Sequence, residues 1–418
     1  MNEWKEVSLS EMGKTITGKT PSSQHPEDFG DEMPFITPSD SFEKKYINKS
    51  DRFLSRSGSD RLKEKIISPN SIMVTCIGSA MGKVAKNSLS SVTNQQINSI
   101  IVNENFDSDY IYYLLKNNYA VLRNAASGST AIPILNKTDF DNLRFKVELN
   151  LNEQRKMVSI LSTIDDKIET NNQINQELEA MAKTLYDYWF VQFDFPDQNG
   201  KPYKSSGGKM VYNPELKREI PEGWGVEKIE NIAQTGSGGT PKSTNVSYYS
   251  NGEIPWINSG ELEQMVITST SNFITEEGLN NSSAKLFPSG TILVAMYGAT
   301  AGKVSFLTFE ASTNQAICAI MLTDIRMRYY LKNVIEDLYQ YLVKLSTGSA
   351  RDNLSQDMIK NIKVVIPSND ILDRFYDFSN NVIKEITKKQ QENEQLTQLR
   401  DWLLPMLMNG QARVEDKT

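Results

Sequence analysis

Two lysines close matching glycine loops, Gly78-Ser79-Ala80-Met81-Gly82-Lys83-Val84 and Gly298-Ala299-Thr300-Ala301-Gly302-Lys303-Val304. A lysine after such a loop is the kind of group that cradles a phosphate. Both loops are one residue short of the nucleotide-binding pattern G-x-x-x-x-G-K-[ST], and valine stands where the hydroxyl belongs. The expectation is a tight turn between two strands, with Lys83 and Lys303 at its tip. There each lysine is either solvated or, on a surface that meets nucleic acid, a phosphate contact. Other chemistry is poorly served. His25 is the sole histidine, so Ser-His-Asp, Cys-His and His-based zinc chemistry lack support. Asp40-Ser41-Phe42-Glu43-Lys44-Lys45 crowds its acids too closely for a nuclease site and reads as a solvated charge cluster. Cys76 and Cys318 read as buried small apolar residues rather than a disulfide. No Asp/Asn-Pro-Pro-aromatic adenine-methylation motif occurs. Neither a catalytic residue, nor a metal site, nor a cofactor is expected on this chain.

Amide and hydroxyl clusters beside glycines recur instead. Thr17-Gly18-Lys19-Thr20-Pro21-Ser22 answers to Gly238-Gly239-Thr240-Pro241-Lys242-Ser243, and Thr93-Asn94-Gln95-Gln96 to Thr313-Asn314-Gln315. Ser127-Gly128-Ser129-Thr130 answers to Thr347-Gly348-Ser349-Ala350-Arg351. Asn and Gln pair bidentately with adenine and Arg and Lys with guanine, while small residues let backbone N–H groups approach phosphates. The candidate DNA contacts in the first half are Lys19, Thr20, Ser22, Ser79, Lys83, Asn94, Gln95, Ser129, Thr130 and Lys137. In the second half they are Gly239, Thr240, Lys242, Asn258, Tyr297, Thr300, Lys303, Asn314, Gln315, Ser349 and Arg351. The competing reading is that repeated residues are those the fold needs, and for Asn94 and Asn314 it is the favoured one, because buried amides commonly stabilise loops. Base-reading residues should differ between copies, which points to the non-matching segments Pro34–Arg61 and Ile254–Ser283.

The elements that must position these residues are written twice. Trp4, Thr20-Pro21, Gly78, Thr93 and Gly128 recur as Trp224, Thr240-Pro241, Gly298, Thr313 and Gly348, always 220 residues on. Ser71–Ile77, Thr291–Tyr297, Ile97–Val102 and Ala316–Leu322 are short apolar, β-favouring runs. Short helices fit Asp109–Asn117 and Met327–Leu345. Each copy ends in a long helical pattern. Leu161, Ile164, Ile168, Leu178, Leu185 and Trp189 form one apolar seam, and Phe375, Phe378, Val382, Ile386, Leu396, Leu399 and Leu403 the other. Both seams turn polar midway, at Asn171 and Asn175 and at Lys389 and Asn393. Asn409-Gly410 marks the second helix's end, after a kink or early stop at Pro405. The fold class expected is α+β: two tandem mixed α/β domains separated by two long antiparallel coiled-coil helices, a pseudo-twofold internal repeat. The parts are residues 1–150, a helix over 151–192, a linker loop over 193–223, a second globule over 224–370, a second helix over 371–410 and a tail over 411–418. The net charge of −7 looks wrong for a nucleic-acid binder. However, residues 151–198 carry nine acidic against four basic residues, while residues 1–150 carry eighteen of each. Most of the acidity therefore lies on one helix. Near-neutral globules bind DNA when their cations share a face. No run of apolar residues is long enough to span a membrane, and the N-terminus lacks signal-peptide character, so a cytoplasmic protein is expected.

Four segments are similar to the specificity subunits of Type I restriction-modification systems. They are Glu153-Gln154-Arg155-Lys156-Met157-Val158-Ser159-Ile160-Leu161, Gly200–Val211, Ile220-Pro221-Glu222-Gly223-Trp224 and Leu403–Gly410. The resemblance runs along the whole chain in order. It implies two target-recognition domains, each reading one half of a split, asymmetric site in double-stranded DNA. It implies helices that act as a ruler and dock two methyltransferase subunits, to which two restriction subunits can add. S-adenosylmethionine, ATP and Mg2+ would then belong to those partners, and adenine methylation and ATP-driven cleavage would not be activities of this chain. The rival reading is a coiled-coil adaptor that presents two protein- or glycan-binding modules. Salt-sensitive, sequence-specific binding of duplex DNA separates the two.

Overall fold

The computed structural model describes residues 4–125, 133–298, 300–345 and 354–414, with the backbone alone for 341–345. The chain divides into two compact units, Met1–Glu169 with Glu394–Thr418, and Thr170–Asn393.

In the first unit, β1 (Gly13–Thr17), β2 (Ile72–Thr75), β3 (Val84–Asn87) and β4 (Ile97–Val102) form a sheet in the order β1-β4-β2-β3. These pairs are antiparallel, and Tyr46–Ile47 adds a parallel edge to β3. Alternation along β2 explains the two-sided burial of its apolar run. Ile72 and Val74 face helix α1 (Ser108–Asn117) and join a core with Tyr110, Leu114, Leu161 and Leu404. Met73 points the other way, toward Ile36 and Ile67 of a second sheet and toward Phe42 in a turn. Asp107 starts α1 by accepting the N–H groups of Asp109 and Tyr110.

The second unit repeats this plan. Its strands β5 (Ala233–Ser237), β6 (Ile292–Ala295), β7 (Val304–Leu307) and β8 (Ile317–Leu322) are ordered β5-β8-β6-β7, with Val266–Ile267 as the parallel edge. Ile292 and Val294 face α3 (Arg328–Leu345), which follows in the chain, while Leu293 and Ala295 face Ile257 and Phe287. The mixed α/β, internally repeated fold class is thus observed.

The long helices are α2 (Leu151–Tyr186) and α4 (Asn369–Met408). A wider turn over Asp187–Val191 extends α2 and seats Phe190 against Phe375, with ring centroids 4.7 Å apart. Within the second unit Trp189 meets Phe375 and Asn171 meets Asn393. Within the first, Asp165 meets Arg400. Residue numbers fall on one helix as they rise on the other, so the pairing is antiparallel. Leu161, Ile164, Trp189, Phe375, Val382 and Ile386 are buried. Ile168, Leu178, Leu185, Phe378, Leu396 and Leu403 are half-buried.

Three expectations change. Leu399 is 44% exposed, because the inward line of α4 there runs through Arg400, Leu404 and Leu407, spaced four and three residues apart. Leu399 lies about 100° around the helix from Arg400. The strict seam spacing cannot track a 3.6-residue turn over so many turns. Next, α4 does not end early at Pro405 but continues to Met408. A proline inside a helix costs about 3 kcal/mol, while Leu404, Leu407 and Met408 are buried in the first unit's core, each worth about 1.5–3 kcal/mol. Burial wins, and the helix stops instead at Gly410 with φ +72°. Finally, Asp40 is no solvated charge. It is buried and accepts the N–H groups of Thr37 and Asp51.

Candidate nucleic-acid interface

Backbone hydrogen bonds draw the loops singled out in the sequence into one cluster in each unit. In the first unit Gly18 N–H donates to Ile97 O and Lys19 N–H to Thr93 O. Asn94 N–H donates to Ile36 O, Cys76 N–H to Gln96 O, and Leu135 N–H to Cys76 O. The second unit repeats the chain: Gly238 to Ile317, Gly239 to Thr313, Asn314 to Ile257, Met296 to Ala316, and Leu354 to Met296. A side-chain latch also repeats, Thr20 Oγ1 donating to Gln95 Oε1 and Thr240 Oγ1 to Gln315 Oε1. Five loops far apart in sequence thereby share one end of each globule. That end thereby gathers the candidate cations and amides of several loops, the arrangement a groove contact would need.

The glycines allow this approach. A Cβ on Gly18 would lie 2.2 Å from Thr93 O, and one on Gly238 2.2 Å from Thr313 O. Gly78, Gly82, Gly298 and Gly302 have φ between +78° and +94°, the left-handed turn that L side chains avoid. The tight turn expected here is what forms: Gly82 N–H donates to Thr75 O and Gly302 N–H to Ala295 O.

Side chains then sort by what they are free to do. Lys19, Ser22, Ser79, Gln95, Thr240, Lys242, Lys303 and Gln315 are exposed and Thr20 is half-buried. Lys83 is half-buried and paired with Glu43. Asn94 is buried, and both Asn94 Oδ1 and Asn314 Oδ1 accept the N–H two residues on, so these amides build the loop. Asn258 caps the short helix Ser259–Glu261 and contacts Asn314. Thr300, buried, ties its loop to Ser259 O at 2.7 Å. The Gly239 N–H already serves Thr313, so it offers no donor to a phosphate. Tyr297 packs half-buried against the core. Lys137 opens the short helix Lys137–Asn142 and pairs with Asp141. Ser129, Thr130, Ser349 and Arg351 lie outside the described residues.

Sequence reading passed over Tyr119 and Arg123. A Cβ on Gly82 would lie 3.0 Å from the Tyr119 ring, and Arg123 donates to Ser79 O at 3.4 Å. Tyr339 covers Gly302 in the same way. The signal was present, since 339 is 220 beyond 119. Thr37 and Ser39, bonded to each other beside the loops, were legible only as part of a variable segment.

Among the described residues no cluster of His, Cys, Asp or Glu suits a metal ion. Burial pushes both thiols up to about 12, which leaves Cys76 and Cys318 without thiolate character. At the helix midpoint Asn171, fully buried, donates to Glu392 at 3.0 Å and Asn393 at 2.9 Å, and Asn393 donates to Asn172. The polar stretches of the two seams therefore pair with each other, which fixes register.

The loop cluster is built twice, and each copy of it is followed in the chain by one of the two long helices. Residues 1–180 and 221–398 match the Type I restriction modification DNA specificity domain, and the chain belongs to that family. It is 28% identical to the Type I restriction enzyme MjaIX specificity subunit of Methanocaldococcus jannaschii, over 99% of this chain and 94% of that one. It is 25% identical to the HindI specificity subunit of Haemophilus influenzae, over 98% and 100%. The S subunit of a Type I restriction-modification system from M. genitalium has the same fold, with a TM-score of 0.60 at 16% identity, over 100% of this chain and 97% of that one. No helix among the described residues is long and apolar enough to cross a membrane.

Proposed function

We propose that this chain is the specificity subunit of a Type I restriction-modification complex, with residues 1–150 and 224–370 as its two target-recognition domains. Each domain reads one half of an asymmetric DNA site, and the paired helices set the spacer. The observation that carries this reading is the loop cluster built twice from the same hydrogen bonds, while the residues upon it differ: exposed Lys19 answers to buried Gly239, and exposed Ser22 to exposed Lys242. One scaffold with two sets of contacts suits two different half-sites. The acidic first helix suits a protein partner better than DNA, whose phosphates repel it. Two methyltransferase subunits dock on the helices, two restriction subunits can join them, and S-adenosylmethionine, ATP and Mg2+ act there in the cytoplasm. The chain alone transfers no methyl group.

The test is to co-express the chain with a Type I modification subunit from its own organism and map methylated adenines across the host genome. A two-part motif with a fixed gap is expected. A continuous motif, or methylation independent of this chain, would overturn the assignment, as would methyl transfer by the purified chain alone.

A further inference from the structure

At one matched place the two units handle a cation differently, although each also buries a paired lysine, Lys86 with Asp109 and Lys332 with Glu336. In the first, Lys86 is 2% exposed and its ammonium bonds Asp109 and Ser108. Lys45 reaches the same carboxylate at 3.0 Å. In the second unit the 220-residue offset puts Phe306 in place of Lys86, Arg328 in place of Ser108 and Tyr329 in place of Asp109. A cation has been regained on α3 and its carboxylate lost. Arg328 Nη2 donates to Asn380 at 2.6 Å, and the guanidinium lies 5.7 Å from the Phe306 ring centroid. Its Nε is buried with no hydrogen-bond partner, and Arg328 has no ion pair among the described residues. Burial accordingly lowers its pKa. A partly buried charge without a counter-charge is costly, so this one calls for an anion.

The surroundings fit one. Arg328 opens onto a cleft of about 380 Å3 that Lys384, Lys388 and Ser289 also line, and among the described residues no Asp or Glu lines it. Neither lysine has an ion pair among the described residues. Phe306, Leu307 and Ile383 supply an apolar wall. The volume falls within the usual ~300–1,000 Å3 of small-molecule sites, larger than a lone oxyanion needs. The cleft lies at the Leu307–Thr308 end of β7 and at the Ser289–Gly290 turn. The Gly298–Lys303 loop enters β7 at its other end, about 13 Å away along four residues. The cleft is thus separate from the surface assigned to DNA. We propose that it binds a phosphate group, which guanidinium and ammonium donors recognise, either free or carried on a small monoester.

Calorimetric titration of the full chain, in buffer without phosphate or sulfate, tests this with inorganic phosphate, adenosine 5′-monophosphate and adenosine. Phosphate and the monophosphate should bind and adenosine should not. Tighter binding of the monophosphate identifies a carried phosphate, and equal binding a free one. Arg328→Gln should weaken both at least tenfold. Lys384→Ala with Lys388→Ala changes only exposed side chains, so folding is retained, and should weaken them severalfold. Failure of both phosphates to bind the wild-type chain overturns the proposal, as does equal binding by the lysine double variant. Adenosine binding as well as its monophosphate, or displacement of the monophosphate by short duplex DNA, overturns it too.

Discussion

The two units share a strand order and a set of loop hydrogen bonds, yet at one matched place they treat charge in opposite ways. The first encloses a cation with its carboxylate, Lys86 with Asp109, and adds Lys45. The second leaves Arg328 without a carboxylate among the described residues, beside a cleft, although its buried Lys332 keeps Glu336. The same contrast appears at the loop tips, where Lys83 pairs with Glu43 while Lys303 has no ion pair among the described residues. Backbone geometry constrains the repeat. Side chains that do not hold the loops together differ between the copies, as Ser22 and Lys242 do, and on the proposed function half-site choice would reside there.

The largest expected effect comes from exchanging one set of loops. Replacing residues 1–150 with the matching domain of a relative should change one half of the methylated motif completely and leave the other half and the spacer intact. Methylome mapping reads this directly, and a change in both halves would mean that the copies do not read independently.

The buried charges come next. Asp109→Ala should destabilise the first unit by about 3–5 kcal/mol, because Lys86 is then buried without its counter-charge. Arg328→Met, which breaks no carboxylate pair, should cost less than half as much in urea unfolding of the full chain. Equal losses would remove the contrast. The same carboxylate makes the first unit acid-sensitive. Burial alone would raise the pKa of Asp109, but Lys86 and Lys45 outweigh it and hold the group below the ordinary aspartate value. Its stabilisation is therefore full above about pH 4 and is lost as pH falls through the lowered value. Asp109→Asn should flatten that part of the acid unfolding profile.

Smaller effects should separate the helices and the loop lysines. Because Asn171 pairs with Asn393, lengthening the frame requires matched insertions. Four residues in α2 after Asn175 and four in α4 before Lys389 should add about 6 Å and move methylation to sites with one or two more spacer base pairs. Methylation only at the original spacing would show that the helices are not the ruler. Lys303→Ala should reduce the salt dependence of DNA binding by about one charge. Lys83→Ala should reduce it by less, since Glu43 already neutralises that lysine. A changed base preference at constant salt slope would make either residue a base reader.

Much of this was legible in the sequence for one physical reason. Strand and helix periodicity, glycine turns and a 220-residue repeat are local signals, and they located β2, β4, α1, α2 and α4 and predicted the tight turns at Gly82 and Gly302. The polar midpoints of the seams were visible too, and antiparallel pairing brought them together. What a side chain is left free to do depends on neighbours dozens of residues away. Asn94 and Thr300 are drawn inward by loops that only the folded chain brings near. Leu399 turns outward because Arg400 finds Asp165. Asp40 is buried because Thr37 and Asp51 converge on it. Arg328 lies without a carboxylate because the place of Asp109 is taken by Tyr329, a swap visible in the sequence but without meaning until the two helices are seen against their sheets. The sequence by itself determined the repeat, the frame and the absence of recognisable catalytic motifs. Tertiary structure alone decided which polar groups hold the loops and which remain for a ligand, because hydrogen bonds and burial are settled by contacts across the chain rather than along it.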